Sequence, residues 1–224
     1  MKPHIPTIKR IYSVGLPSII MSSISSVMTF GLNKILIAFT STATAVLGVY
    51  FKLQSFIFMP VFGLNNGMVP IISYNFGARK PDRIMQTIRL SILYAVTILL
   101  IGMAVFQLFP ARLIGIFNPS PEMLAIGIPA LRIISLSYFF PGFCIVVISV
   151  CQALGHGLKS LFISVVRQLV VLLPVAWLLS LTGRLDSIWF AFPIAEVCAL
   201  TMCVFFLRRI YRQEIKPLEA LSNS

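Results

Sequence analysis

The side chains that could do chemistry in this sequence are the few polar and charged residues that interrupt long apolar stretches. Asn65 and Asn66 stand side by side between Gly63 and Gly67. Their amides can hydrogen-bond to a small ligand or to a neighbouring helix. Glu196 lies within another apolar stretch, where a carboxylate is costly and indicates either a paired group or a functional one.

Arg167 is the partner that the sequence offers to Glu196, and Gln168 stands beside it. The two apolar stretches that hold Arg167 and Glu196 follow one another with a short connection, so they are expected to be antiparallel neighbours. We expect a structural ion pair or polar network here. A proton-carrying role for Glu196 is the alternative.

Three further cations lie within apolar stretches, at Lys34, Lys52 and Arg132. Long basic side chains near the end of a membrane span can extend to the interface and keep their charge in water. Each of the three cations therefore has two interpretations: its side chain reaches the membrane interface, or it lines a polar substrate cleft. The same two interpretations, polar packing between helices or cleft lining, apply to Asn33, Gln54 and Tyr138.

The sequence predicts that these residues lie in membrane helices. Of the 224 residues, 58% are hydrophobic and 11% are charged, whereas soluble domains carry about 25% charged residues. Apolar stretches of this length predict an all-α polytopic membrane protein. Six spans are expected, at about 11–39, 46–73, 84–109, 123–151, 161–181 and 188–207, between basic segments at 1–10 and 208–224.

The distribution of basic residues predicts the orientation of the chain. Twelve of them fall on the side of the two termini and two on the opposite side. Because positively charged loops stay inside, we expect a multi-pass protein of the cell membrane with both termini in the cytoplasm. The net charge is +12, but the basic residues do not form a continuous stripe, so no nucleic-acid partner is expected. The expected partner is the lipid bilayer.

Enzyme and metal chemistry find little support. The four cysteines form no CxxC pair, and His4 and His156 are far apart, so no metal site is expected. Six acidic residues, mostly in loops or the tail, do not suggest paired-carboxylate catalysis. The remaining classes are transport, channel formation and lipid handling.

The glycines Gly63 and Gly67 share a helix face, which predicts close approach of a neighbouring helix.

An ordered set of short motifs makes the chain resemble the C-terminal half of the multidrug and toxic compound extrusion (MATE) transporters, from about 11 to 207. The motifs are Gly15-Leu16-Pro17-Ser18, Phe58-Met59-Pro60, Gly63-Leu64-Asn65-Asn66-Gly67, Pro70-Ile71-Ile72, Tyr74-Asn75-Phe76-Gly77-Ala78, Leu131-Arg132, Pro141, Gln152-Ala153-Leu154-Gly155, Arg167-Gln168, Pro174 and Pro193-Ile194-Ala195-Glu196.

The resemblance implies one six-helix lobe of a two-lobe secondary active transporter, not an enzyme. It implies multidrug efflux: export of amphipathic or cationic small molecules by alternating access, in exchange for Na⁺ or H⁺ and with no other cofactor. An N-terminal lobe or a second copy would be needed. The candidate substrate-cleft residues are Asn33, Lys34, Lys52, Gln54, Asn65, Asn66, Arg132 and Tyr138, and the candidates for a polar network or ion coupling are Arg167, Gln168 and Glu196.

One departure from the family is visible, because the spans at about 11–39 and 123–151 hold no acidic residue for a coupling cation. Alternatives therefore stay open. The chain could belong to an exporter of lipid-linked precursors or polysaccharides of the same superfamily, for which Lys34, Lys52 and Arg132 would supply a cationic groove. It could instead be an inactive truncated remnant or a non-transporting assembly subunit.

Overall fold

The computed structural model describes residues 5–218. The predicted terminal segments therefore fall partly outside the described residues, at 1–4 with Lys2 and at 219–224. Most of the described residues are helical, and none of them lies in a strand. In order they are α1 Ile5–Ile37, α2 Ser41–Gly77, α3 Pro81–Leu108, α4 Pro110–Gly115, α5 Pro121–Ser135, α6 Phe139–Ala153, α7 Gly157–Val165, the π-helical segment Val166–Leu172, α8 Leu173–Ser180, α9 Leu185–Trp189, α10 Ala191–Ile210 and the π-helical segment Tyr211–Ile215.

Six spans form when the bent pair α5–α6 is taken as one. Five continuous stretches are long and apolar enough to cross a membrane, namely Gly15–Ile37, Ser41–Gly77, Pro81–Leu108, Gly157–Ser180 and Leu185–Leu218. α5 and α6 meet the same test together, with a bend of 56° between them. The predicted all-α polytopic fold is confirmed. The exact limits of the membrane segments stay predictions, since several helices exceed the bilayer thickness.

The fourth span, predicted over 123–151, is broken where Leu136–Tyr138 separate α5 from α6. Polar groups satisfy the backbone there. The Gln107 amide of α3 donates to the Arg132 carbonyl at 2.8 Å and to Ser135 Oγ at 3.0 Å. Pro141, the third residue of α6, needs no backbone acceptor in the first turn of a helix. α3 thus satisfies one backbone carbonyl that the break leaves free at the end of α5.

The fifth span contains a wide turn of the helix. Val166–Leu172 is π-helical and leads into Pro174, near the start of α8. A proline inside a helix has no N–H for the residue four positions before it, and its ring pushes that carbonyl away. The turn ahead of the proline widens accordingly. Arg167 and Gln168 both lie on this wide turn.

Close packing of the lobe depends on Gly142. α2, α3 and α6 pack against one another, and α1, α7 and α10 complete the lobe. A Cβ at Gly142 would lie 3.0 Å from Val96 Cα of α3, so any larger residue would have to push the α3 backbone away. At Gly63 and Gly67, by contrast, no atom of the described chain lies within 4 Å of an added Cβ, and both residues are exposed. The predicted close neighbour at this glycine pair is wrong for contacts within the described chain.

Candidate functional site

A cavity of about 700 Å³ lies among α1, α2, α6, α7, the π-helical segment Val166–Leu172 and α10. Its apolar wall contains several phenylalanine and methionine side chains. Its polar wall consists mainly of amides and hydroxyls. The polar lining residues are Ser22, Ser25, Thr29, Gln54, Ser55, Asn65, Asn66, Ser149, Gln152, Ser164, Arg167, Gln168 and Glu196.

Arg167 and Glu196 form an ion pair on this wall. Arg167 Nη1 donates to Glu196 Oε1 at 3.2 Å, and the two side chains are 22% and 16% exposed. Glu196 Oε2 is buried and finds no hydrogen-bond partner among the residues that the structure describes. The wide turn brings Arg167 to α10, where it forms the ion pair with Glu196 that the sequence predicts. A proton-carrying role for Glu196 stays a prediction.

Gln168 links the same wide turn to α1. Ser25 Oγ donates to Gln168 Oε1 at 3.1 Å, and Gln168 is buried. Consecutive residues on the π-helical segment therefore contact two different helices, with Arg167 held by α10 and Gln168 by α1. The π-helical segment therefore links the α1 wall of the cavity to the α10 wall through side-chain hydrogen bonds.

Asn65 presents an unpaired amide in the cavity wall. The residue is 5% exposed, and neither its oxygen nor its nitrogen has a hydrogen-bond partner in the described part of the chain. A buried amide without partners costs roughly 1–3 kcal/mol. A molecule in the cavity with one donor and one acceptor could satisfy both atoms. The adjacent Asn66 and Gln54 line the same space.

Five predicted cleft residues stand apart from this cavity: Asn33, Lys34, Lys52, Arg132 and Tyr138. The Lys34 ammonium lies 5.6 Å from the Phe30 ring centre, and that of Lys52 lies 5.8 Å from the Phe117 ring centre. Both lysines are exposed. A role for the five residues in a cleft between two lobes stays a prediction.

Tyr138 and Arg132, two of these five residues, lie in two other parts of the lobe. Tyr138 is buried in the α5–α6 bend, with its ring 5.4 Å from that of Phe58 and 5.5 Å from that of Phe106. Arg132 is exposed and lines a separate, smaller pocket near Phe109. Tyr138 thus packs as a core aromatic, and Arg132 belongs to a different surface.

Sequence reasoning missed the hydroxyl row of α1. Ser22, Ser25 and Thr29 follow helical spacing and all line the cavity. Polar residues at intervals of three and four within an apolar helix indicate one polar face. That spacing was the signal that could have found them.

A second polar cluster lies where the C-terminal segment meets the α6–α7 turn. His156 Nε2 contacts Glu214 Oε1, and Lys159 Nζ lies 3.9 Å from the same oxygen. Glu214 belongs to the π-helical segment Tyr211–Ile215. Within residues 5–218 no group of three or more His, Cys, Asp or Glu side chains could hold a metal ion.

Long apolar helices around a cavity with apolar and polar walls define a multi-pass α-helical membrane protein. The family model described as MatE matches residues 17–178. The chain belongs to the MatE family.

Curated relatives match nearly all of this chain. The multidrug export protein MepA of Staphylococcus haemolyticus is 28% identical over 210 residues, which cover 93% of this chain and 46% of that protein. MepA of Staphylococcus saprophyticus is 28% identical over 211 residues, with the same coverage. The chain therefore spans about half the length of the curated relatives it matches.

Solved structures show the same fold. An outward-facing multidrug resistance MATE family transporter of the MOP superfamily superposes with a TM-score of 0.87 at 23% identity, over 98% of this chain and 49% of that one. A MATE protein in the bent conformation gives 0.88 at 22% identity, over 100% of this chain and 49% of the other. The chain thus has the architecture of about half of these proteins.

Proposed function

We propose that the chain is one half of an exporter of amphipathic or cationic small molecules that works by alternating access. The observation that carries this proposal is the cavity of about 700 Å³ inside a lobe of the MatE family. The chain matches about half of proteins named for multidrug export. Membership of this family supports a transporter rather than an enzyme.

The walls of the cavity suit an amphipathic ligand. Pockets for small molecules are mostly apolar with a few placed polar groups, and measure roughly 300–1,000 Å³. Here Phe51, Phe58 and Phe192 supply aromatic surface, and Asn65 and Gln54 supply amides. Aromatic rings also favour a positively charged ligand.

Glu196 is our candidate for coupling export to Na⁺ or H⁺. It is the only acidic residue among the described lining residues of the cavity. Its pairing with Arg167 gives it two states, paired and released, that an incoming cation or proton could select. We place both termini in the cytoplasm on the distribution of basic residues.

A partner lobe completes the proposal. A cleft between two lobes needs a second six-helix unit, either a separate N-terminal half or a second copy of this chain. The exposed face of α2 around Phe56, Met59 and Gly63 offers surface for that unit or for lipid.

Export of lipid-linked precursors, the rival interpretation, would call for a cationic groove. Lys34, Lys52 and Arg132 were its proposed source. All three are exposed and lie away from the cavity, whose described lining pairs its single guanidinium with its single carboxylate. The cavity therefore favours the export of small amphipathic molecules over that of anionic lipid carriers.

Ethidium efflux from cells tests the proposal. The chain is expressed together with the half of the Staphylococcus haemolyticus relative that it does not match. Cells that carry both are expected to lose preloaded ethidium faster than cells that carry either half, and the gain is expected to disappear with E196Q. Equal loss from all cells, with both halves present in the membrane, contradicts the proposal.

A further inference from the structure

The ion pair in the cavity places a cation beside Glu196 before any ligand arrives. Arg167 and Glu196 are the only charged residues among the described lining residues on α1, α2, α6, α7, the π-helical segment and α10. The pair leaves this wall with no net charge. A cationic ligand that enters meets the carboxylate already in use and a guanidinium that repels it.

We propose that Arg167 is a resident competitor for the cation position at Glu196, so that an organic cation binds by displacing its guanidinium. This inference rests on the proposed function of the cavity and names a specificity-determining residue within it. Arg167 then lowers the affinity for cations in general and selects ligands that can replace a guanidinium, which a purely structural partner would not do.

The geometry of the pair permits displacement. Arginine and carboxylate groups commonly bind through two parallel hydrogen bonds. Here one bond is made, from Nη1 to Oε1 at 3.2 Å, and Oε2 has no partner in the described chain. The carboxylate thus keeps one oxygen for another donor or cation. A single long contact is weaker than a bidentate one, which lowers the cost of exchange.

The π-helical segment gives the guanidinium a way to leave. Arg167 is the second residue of Val166–Leu172, a wide turn that can tighten to an ordinary α-helical turn without breaking the span. Such a change of register turns the side chains of the segment relative to α10. Leu173, the residue after the segment, packs its side chain against Gly31 of α1, where an added Cβ would lie only 2.7 Å from Leu173 Cδ2.

Equilibrium binding of tetraphenylphosphonium, a permanent organic cation, to the chain in lipid nanodiscs tests the competition. R167Q is expected to bind the probe roughly tenfold more tightly than the natural chain, since a repelling charge is removed and the carboxylate is freed. E196Q is expected to bind it at least tenfold more weakly. The double variant R167Q/E196Q is expected to bind the probe more tightly than E196Q, because it lacks the repelling guanidinium, and more weakly than R167Q, because it lacks the carboxylate. R184Q removes an exposed arginine outside the cavity and is expected to change nothing.

The outcomes separate this inference from the proposed function. Unchanged or weaker binding by folded R167Q, with weaker binding by E196Q, overturns the competition and leaves the cavity as a cation site. No saturable binding by the natural chain, R167Q or E196Q overturns both. Should R167Q not fold, E196D serves instead. Its shorter carboxylate withdraws from Arg167 and keeps its charge, so tighter binding supports displacement and equal or weaker binding overturns it.

Discussion

Asn65 in the cavity wall is buried, yet its polar side-chain atoms are unpaired within the described chain. Its amide is almost fully buried and makes no hydrogen bond within the described chain. Native structures satisfy nearly all such groups. A residue that weakens the fold and faces a binding space is typical of a functional position, where stability is given up for ligand contact.

Asn65→Leu is expected to raise the thermal stability of the chain and to weaken binding of tetraphenylphosphonium. Leucine has the same number and branching of side-chain heavy atoms and removes two unpaired buried polar atoms, which together cost roughly 1–3 kcal/mol. The matched control is Asn75→Leu, because the Asn75 amide donates to the Ile71 carbonyl at 2.8 Å and so loses a bond. Thermal unfolding and binding in nanodiscs measure both effects. A fall in stability with N65L would show that Asn65 has a structural partner.

Whole helices show where sequence reasoning succeeded. The long apolar runs predict the spans because no other element satisfies the backbone in lipid. They do not predict the break at Leu136–Tyr138 or the wide turn at Val166–Leu172. The break depends on contacts from another helix, such as the hydrogen bond from Gln107 to the Arg132 carbonyl, whereas the wide turn lies just ahead of Pro174 in its own span. Hydropathy carries no information on those contacts.

The composition of the site was harder to predict than the spans. Hydropathy does not fix the rotation of a helix about its own axis, and that rotation leaves Lys34 and Lys52 outside the cavity while Gln54 lines it. The Arg167–Glu196 pair could be predicted because its two helices are consecutive. His156 and Glu214 are 58 positions apart, and no local pattern links them.

Gly142→Ala is expected to destabilise the chain by about 1–3 kcal/mol, the usual cost of overpacking. The added Cβ would lie 3.0 Å from Val96 Cα and 3.1 Å from Val96 N, and backbone atoms of α3 cannot move aside as a side chain can. Gly63→Ala, on the same type of helix with open space around it, is the control and is expected to be neutral. Thermal unfolding in a matched detergent compares them. Equal stability of the two variants would mean that α3 and α6 are not in close contact.

Glu214→Gln is expected to loosen the C-terminal segment that follows α10. The Glu214 carboxylate contacts His156 and Lys159, which join this segment to the turn between α6 and α7. A neutral amide loses the attraction to lysine and to any charged histidine. Trypsin is expected to cut after Arg212 several-fold faster in the variant. Glu122→Gln is the control, because Glu122 accepts from Thr40 and Thr42 in a different part of the lobe. Identical cleavage rates in all three proteins would show that the segment is held by Ile215, which is fully buried, and not by the charges.

At the scale of the whole molecule, the exposed glycines connect the lobe to the partner that the proposed function requires. Gly63 and Gly67 have open space on their shared face, so they serve no packing within the described chain. Glycine pairs at this spacing allow close approach of another helix in a membrane. A second lobe seated there would explain why an otherwise long and apolar helix carries them.

The double variant Gly63→Leu/Gly67→Leu is expected to leave the isolated chain as stable as before and to abolish the gain in ethidium efflux when the partner half is present. Leucines fill the space that an approaching helix needs, and in lipid they are as acceptable as the glycines they replace. Efflux from cells, together with the amount of partner half that copurifies with the chain, measures the effect. The exposed Leu93→Ala/Leu100→Ala pair on α3 is the control for a general change in lipid contact. Full efflux and full copurification with both leucines in place would show that this face of α2 meets lipid, and the partner lobe would then have to dock elsewhere.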